Sequence, residues 1–347
     1  MKVLFEIVHP ADVLFFRDAI ERLGAEGAEI VIASRDKDIA CRLLDEMMFA
    51  HTPLTRAGSG TLGLGLELLV RDWRLLRLAR RERPDVMVGF GGVAISHVGR
   101  LTGIPSISFY DTEDARLQIA LARPFITEWH VPSYWRGPEA EGRTFRFNGF
   151  KELAYLDPRR FRPSPEKALA LGLDGDRDNF FIRTVAWAAA HDRGRSGWGM
   201  DTVAEIVERL SQRGKVHLSA EGTVAKELEP LIYRGRVADI HHLLGHCRLF
   251  VGESATMAAE AALLGVPAIC SDDYRLGYIS ELAGDGLITQ CPGDREQILA
   301  VAERRLGYAP SHWQAARDKA LEGRIDVAGY ILDRIRSFAP NGDHAKV

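Results

Sequence analysis

The sequence predicts an α/β protein built from two doubly wound domains, and three observations carry that expectation. Short β-branched runs alternate with stretches of helical periodicity along most of the chain, the pattern of a parallel sheet covered on both faces. The segment VGFGGVAISHVGRLTGIPSI (Val88 to Ile107) shares its layout with VGESATMAAEAALLGVPAI (Val251 to Ile269): a strand, a small-residue turn, a helix, Gly, then a branched residue and Pro opening a strand. Between the halves, DPRRFRPSPEKALALGLDGDRDN is rich in Pro, Gly and charge and reads as a linker. At 347 residues the chain suits two domains better than one core. Two halves built on one βαβ unit imply two Rossmann-like domains with parallel sheets facing across a cleft, ligands lying outside the carboxyl ends of the strands.

In chain order, KVLFEIV reads as a buried strand and DVLFFRDAIERLG as a helix ending on Gly24. AEIVIAS and DKDIACRLLDEMM are the next strand and helix. The Gly-rich AGSGTLGLGLELL lacks the Gly-Lys-Ser/Thr ending of a phosphate loop and reads as a flexible loop. DVMVGF and PSISFY are short strands separated by the helical VAISHVGRLTG. The second half repeats the alternation with FFIRTVAW, MDTVAEIVERLSQRG, KVHLSAEG, IHHLLGHC, RLFVG and the segment from Val251. A last long helical region starts near Gln297. The expected divisions are an N-terminal domain at 1–155, a linker at 156–178, a C-terminal domain at 179–335 and a frayed tail at 336–347.

The formal net charge of −3, with 45 basic and 48 acidic residues interspersed, gives no electrostatic case for a nucleic-acid partner. One basic run, RDWRLLRLARRERP from Arg71 to Pro84, reads as a solvated helix face, with a peripheral membrane-facing patch as the alternative. Cys41, Cys247, Cys270 and Cys291 form no CxxC pair or zinc spacing, which suits reduced thiols in a cytoplasmic protein. The N-terminus reads as a first strand rather than a signal peptide. No apolar run approaches the roughly 20 residues that span a bilayer.

Several residues carry possible chemistry. Ser254, Ala255 and Thr256 open a helix whose free N–H groups and dipole favour an anion such as a phosphate. Glu260 lies one turn deeper on the Thr256 face, where its carboxylate can accept from a ribose diol or pair with a basic residue. His9 closes the first strand and is held extended by Pro10; its imidazole can remove a proton from a hydroxyl, or simply hydrogen-bond the turn. FYDTEDARL sets Asp111, Glu113 and Asp114 after a strand, close enough to tune one another's acidity or to open a helix with Thr112 as cap. A DxD-like metal site there is a weaker reading, and no metal is assigned. Arg183 suits a diphosphate through two parallel hydrogen bonds, or else an ion pair or an outward-facing strand position; His191 and Asp192 follow it, and Glu221 ends the next strand. His241 and His242 read as partly buried helix residues. Neither a GxSxG elbow nor an HExxH helix occurs.

GESATMAAEAALLGVPAI resembles the donor-site signature of two-domain nucleotide-sugar enzymes of the GT-B architecture, which include glycosyltransferases and the non-hydrolysing UDP-N-acetylglucosamine 2-epimerases. More narrowly, HPADVLFFRDAI, ASRDKD, FYDTEDA, NGFKELAYLDP, AAHD, LSAEG and ESATMAAEAALLGVPAI together resemble the family named domain of unknown function 354. The resemblance implies a metal-independent glycosyltransferase without a cofactor. It would use a nucleotide-diphosphate sugar, UDP-linked, with a glycan or lipid-linked acceptor, in glycan or surface polysaccharide biosynthesis. His9, Asp111 or Glu113 would act on the acceptor. Arg183, His191, Glu221, Ser254, Ala255, Thr256 and Glu260 would hold the donor. Glu113 falls where the epimerases carry HVEAG, and Ala186 and Ala188 replace the Ser and Asn of the family's SWNASHD text. A nucleotide-sugar 2-epimerase and a noncatalytic sugar-nucleotide binding protein are the alternatives.

Overall fold

The computed structural model describes residues 1–340 apart from 38, 59, 186–197, 222–223, 272–275 and 293–294. The chain divides into two units: Met1–Asp157 joined by the segment from Arg324 onward, and Pro158–Gly323. The first unit runs β1 (Lys2–Ile7), α1 (Pro10–Ala25), β2 (Glu29–Asp36), α2 (Ala40–Glu46), β3 (Thr52–Arg56), α3 (Gly60–Glu82), β4 (Val86–Phe90), α4 (Val93–Thr102), β5 (Ser106–Phe109), α5 (Arg116–Ala122), β6 (Glu128–Pro132), β7 (Thr144–Phe147) and α6 (Leu153–Leu156). The second holds α7 (Pro165–Ala170), β8 (Asp178–Thr184), α8 (Met200–Ser211), β9 (Gly214–Ala220), α9 (Ile240–Leu244), β10 (Leu249–Gly252), α10 (Ala255–Leu263), β11 (Ala268–Cys270), α11 (Gly277–Gly284), β12 (Ile288–Gln290), α12 (Arg295–Leu306) and α13 (Pro310–Leu321). The final helix, α14 (Val327–Arg336), returns to the first unit.

Both sheets are parallel throughout. Their orders are β3-β2-β1-β4-β5-β6-β7 and β12-β11-β10-β8-β9. The order reverses between β1 and β4 in the first unit and between β8 and β10 in the second, and such switch points are where open α/β sheets bind ligands. The first core sets Phe5, Phe15, Phe16 and Phe109 edge-on or tilted to one another. A separate cluster with Leu75, Leu78, Val98, Ile119 and Trp129 fills the space under α3, α4 and α5. In the second unit Phe180, Ile182, Val203, Ile206, Leu218 and Val251 form the corresponding layer.

The units group the residues differently from the sequence expectation. The Pro-rich stretch from Pro158 lies inside the second unit, where Ser164 caps α7 and its own N–H donates to His242 Nδ1 at 3.0 Å. The region from Gln297 is three helices rather than one, since Pro310 starts α13 and the chain turns at Gly323 (φ 72°). The Gly-rich stretch expected as a loop is the first part of α3 from Gly60. Its leucines recur at helical spacing, and the tertiary contacts of the later turns override the cost of its glycines.

A polar chain ties α14 to the first sheet. The buried ring of His130 is stacked between Phe109 and Phe145, each 5.0 Å away. Its Nε2 lies 2.9 Å from Glu128, which also accepts from Arg334, and its Nδ1 lies 2.6 Å from the Tyr330 hydroxyl. Burial holds the His130 pKa below its ordinary value. A neutral ring facing a carboxylate carries its proton on Nε2, so Tyr330 donates to Nδ1.

His217 on β9 is another buried imidazole, with Nε2 2.9 Å from Asn179 Oδ1. Burial, and then the nearby Lys215 charge, push its pKa down to about 4. Below about pH 6.5 the unfolded chain takes up a proton that the folded chain refuses, so this contribution to stability is present above that value and is lost as the pH falls toward 4. The expected slope is up to about 1.4 kcal/mol per pH unit, and His217→Gln should flatten it. Urea unfolding at a series of pH values tests this; equal slopes in both proteins would remove His217 as the source.

Candidate functional site

The second unit's switch point gathers most of the donor residues expected from sequence. Ser254 is the N-cap of α10, its hydroxyl accepting from Met257 N–H at 3.3 Å, while Ala255 is buried and Thr256 half-buried at the opening turn. Ala258, Ala259, Ala261 and Ala262 let α10 lie close on the sheet. Glu260 is buried among them, and its Oε1 is 3.1 Å from Nε2 of the equally buried His241 on α9. The carboxylate inside this alanine helix therefore has a protein partner, set one turn below the helix opening.

Arg183 ends β8 beside Gly252, its register partner on β10. A Cβ on Gly252 would meet the Arg183 carbonyl oxygen at 2.8 Å and its Cβ at 3.0 Å, so only glycine fits this close approach of the two strands. Arg183 Nη1 donates to Ser219 Oγ at 2.7 Å, and Nη2 is paired with Glu221. Arg183 and Glu221 thus form one charged unit at the ends of β8 and β9. His191 lies outside the described residues, as do Ala186, Ala188 and Asp192.

Glu253, which sequence reasoning passed over, is buried directly before the α10 cap. Its two carboxylate oxygens accept from Val185 N–H at 2.9 Å and Trp198 N–H at 2.6 Å. One side chain therefore holds Val185 and Trp198 together, directly before the α10 cap.

In the first unit, His9 is the exposed N-cap of α1. Its Nδ1 accepts from Ala11 N–H at 3.2 Å, and the Asp12 carboxylate accepts from Val8 and His9 N–H at 2.9 Å each. The neutral ring then carries its proton on Nε2. Burial pushes the Asp12 pKa up to about 7. Asp111, Glu113 and Asp114 do not converge. Asp111 turns inward to a 2.9 Å ion pair with Lys151, Glu113 Oε1 accepts from Arg136 N–H at 3.4 Å, and Asp114 is exposed. Thr112 caps no helix, because α5 starts only at Arg116 with Ala115 as N-cap.

Lys151 and Glu152, also missed, complete this cluster. Lys151 is buried with its Nζ 3.6 Å from Glu152 and 5.7 Å from the centre of the Phe90 ring, and its charge reaches Asp12. Their signal was a Lys-Glu pair inside the apolar GFKELAYL, where a solvated pair is out of place.

The repeated βαβ unit carries opposite charges at its two switch points. Glu6 pairs with Gly89 in register on β1 and β4, as Arg183 pairs with Gly252 on β8 and β10, and Gly89 and Gly252 match in the internal repeat. In the first unit Gly92 is the N-cap of α4, with φ 53° and no side chain. Glu6 takes its place, accepting from Ile95 N–H with Arg71 3.6 Å away, and burial pushes its pKa up. The opening of α4 thus holds an internal carboxylate. The opening of α10 holds a serine hydroxyl, and the neighbouring strand β8 carries Arg183 where β1 carries Glu6, a basic residue in place of an acidic one.

A family model described as Protein of unknown function (DUF354) matches residues 1–304. An uncharacterized protein of Methanocaldococcus jannaschii is 22% identical over 321 residues, covering 88% of this chain and 92% of its own length. Among solved structures, the UDP-GlcNAc 2-epimerase of Methanocaldococcus jannaschii in complex with UDP-GlcNAc and UDP superposes with a TM-score of 0.68 at 14% identity, over 98% of this chain and 100% of that one. A spinosyn rhamnosyltransferase gives 0.65 at 15% identity, over 96% and 100%. The fold is that of the GT-B glycosyltransferases and the epimerases.

The Glu253 clamp has a direct test. Glu253→Gln keeps one acceptor oxygen for two N–H groups, so one of Val185 and Trp198 loses its bond at a cost of about 1–3 kcal/mol. Hydrogen exchange read on peptides covering Val185 and Trp198 should speed up at one of them. Unchanged protection at both would show that Glu253 does not hold them.

Proposed function

The chain belongs to the DUF354 family, and we propose that it is an enzyme that transfers a sugar from a nucleotide-diphosphate donor, UDP-linked, to a hydroxyl of a glycan or lipid-linked acceptor. The observation that carries this reading is the charge reversal between the switch points, Arg183 standing where the first unit has Glu6. It favours the second unit for the diphosphate, against the N–H groups of α10 around Ser254, Ala255 and Thr256. The ribose would then meet Glu260, which His241 holds in place. Arg183 and the helix opening would stabilise the charge that builds on the departing diphosphate. Glu221 orients Arg183, and His191 would add a further contact to the donor.

The acceptor falls to the first unit. His9 is a donor through Nε2, since moving the proton to Nδ1 would break its cap on α1. Asp111 is spoken for by Lys151. Glu113, half-buried and acidic, is therefore the better base for the acceptor hydroxyl, with the Lys151 and Asp111 pair positioning the loop that carries it. The reading includes a cytoplasmic location, which the scattered thiols favour. The likeness to the 2-epimerase supports a second reading in which the same donor site serves proton exchange at the sugar's C2.

Two measurements test these statements. Titration calorimetry with UDP should show binding that Arg183→Ala weakens by about tenfold or more, as for loss of a charge-assisted hydrogen bond. The matching change in the first unit, Glu6→Gln, should leave UDP affinity unchanged. Incubation with UDP-sugars and acceptor glycans should release UDP, and Glu113→Gln should abolish that release while binding persists. Solvent deuterium entering C2 without an acceptor would favour the epimerase, and no UDP binding at all would overturn both readings.

A further inference from the structure

The basic run from Arg71 to Pro84 is not simply a solvated face. Arg71 is buried between Glu6 and Glu67, and Glu67 is in turn gripped by Arg35 and by the Thr55 hydroxyl. Leu75, Leu78 and Ala79 are buried on the same side. These contacts fix the rotation of α3 and decide which side chains look outward.

What looks outward is apolar. Leu62, Leu66, Leu69, Val70 and Trp73 recur at helical spacing opposite the buried face, and Leu62 is 85%, Leu66 and Leu69 66% and Trp73 55% exposed. They form a stripe roughly 16 Å long at a rise of about 1.5 Å per residue. A single exposed leucine needs no explanation, but a run of this kind on one helix face marks a contact surface. The same face continues as arginine. Arg77 lies over the Trp73 ring at 4.9 Å, and Arg80 and Arg81 follow at the end of the helix.

The acidic groups of α3 are committed elsewhere. Glu67 faces inward, Asp72 is 2.7 Å from His97 on α4, and Glu82 holds Lys2 and Arg81. The exposed face therefore combines leucine and tryptophan with an excess of positive charge. Among the described residues no helix is long and apolar enough to cross a membrane.

We propose that α3 lies on the surface of an anionic lipid bilayer, with Leu62, Leu66, Leu69 and Trp73 inserted among the acyl chains and Arg77 and Arg80 against acidic headgroups. The arginine end of the face complements the negative charge of an anionic lipid surface, and this commits the face to a bilayer. The contact is independent of the chemistry proposed above. If that chemistry holds, it would bring the first unit to acceptors carried on lipid.

The test uses the full chain without any substrate. Flotation with phosphatidylcholine vesicles containing phosphatidylglycerol should recover the protein, less so at high salt, and pure phosphatidylcholine should recover little. Leu66→Glu with Trp73→Glu should abolish binding, and Arg77→Glu with Arg80→Glu should weaken it by about tenfold or more. All four side chains are exposed, so unfolding curves should match wild type. Absence of binding to the anionic vesicles, equal binding to both vesicle types, or binding that survives both double variants would overturn the proposal. So would a wild-type dimer in sedimentation velocity that the Leu66 and Trp73 changes dissociate. UDP binding is read separately, so either idea can fail alone.

Discussion

A helix that starts at the carboxyl end of a parallel strand leaves its first N–H groups without helical acceptors, and how each opening is answered organises this protein. Helix α1 is closed by His9 and Asp12 from its own chain. Helix α4, denied a capping side chain by Gly92, is closed by Glu6 from a neighbouring strand. At helix α10 the Ser254 hydroxyl accepts from Met257 N–H, and the neighbouring strand carries Arg183. One repeated scaffold thus has one helix opening met by a carboxylate from a neighbouring strand and the other by a serine hydroxyl of its own. The asymmetry arises from two residues at matching register, one acidic and one basic.

The internal carboxylate has consequences of its own. A buried charge is costly unless it is paired, and Glu6 begins a chain through Arg71, Glu67, Arg35 and Thr55 that crosses β1, α3, β2 and β3. Each member also specifies geometry: the rotation of α3 follows from which of its charges must face the sheet. The exposed apolar stripe is the reverse side of that requirement.

Much of the fold was legible because parallel strands buried on both faces leave a strong pattern, as in KVLFEIV and the two matching βαβ segments. The register of the sheets and the strands β3, β6 and β7 were not, since TPLTR and TFRF alternate with no apolar run to mark them. The Gly-rich start of α3 defeated local propensity, because what makes it helical is the packing of later turns. At the site, residues that act within one segment were readable, such as Ser254 capping α10. Those that act across the fold were not. Nothing near Glu260 in sequence announces His241 on another helix, and Glu253, Lys151 and Glu6 take their meaning from partners such as Val185, Asp111 and Arg71 on other elements. The Asp111, Glu113 and Asp114 group shows the converse: closeness in sequence did not become closeness in space.

The return of α14 to the first unit bears on the order in which the molecule can be made. Val327, Ala328, Ile331, Leu332 and Ile335 are buried, and Tyr330 and Arg334 satisfy His130 and Glu128 on a strand some two hundred positions earlier. During translation, the second unit emerges before α14 does, so the apolar ground that α14 will cover stays open until that helix has left the ribosome. A chain stopped short of Val327 would expose that ground together with a buried carboxylate stripped of its arginine. The first unit's maturation is thereby tied to α14, made after the whole second unit, and the earlier-made unit is the later to close.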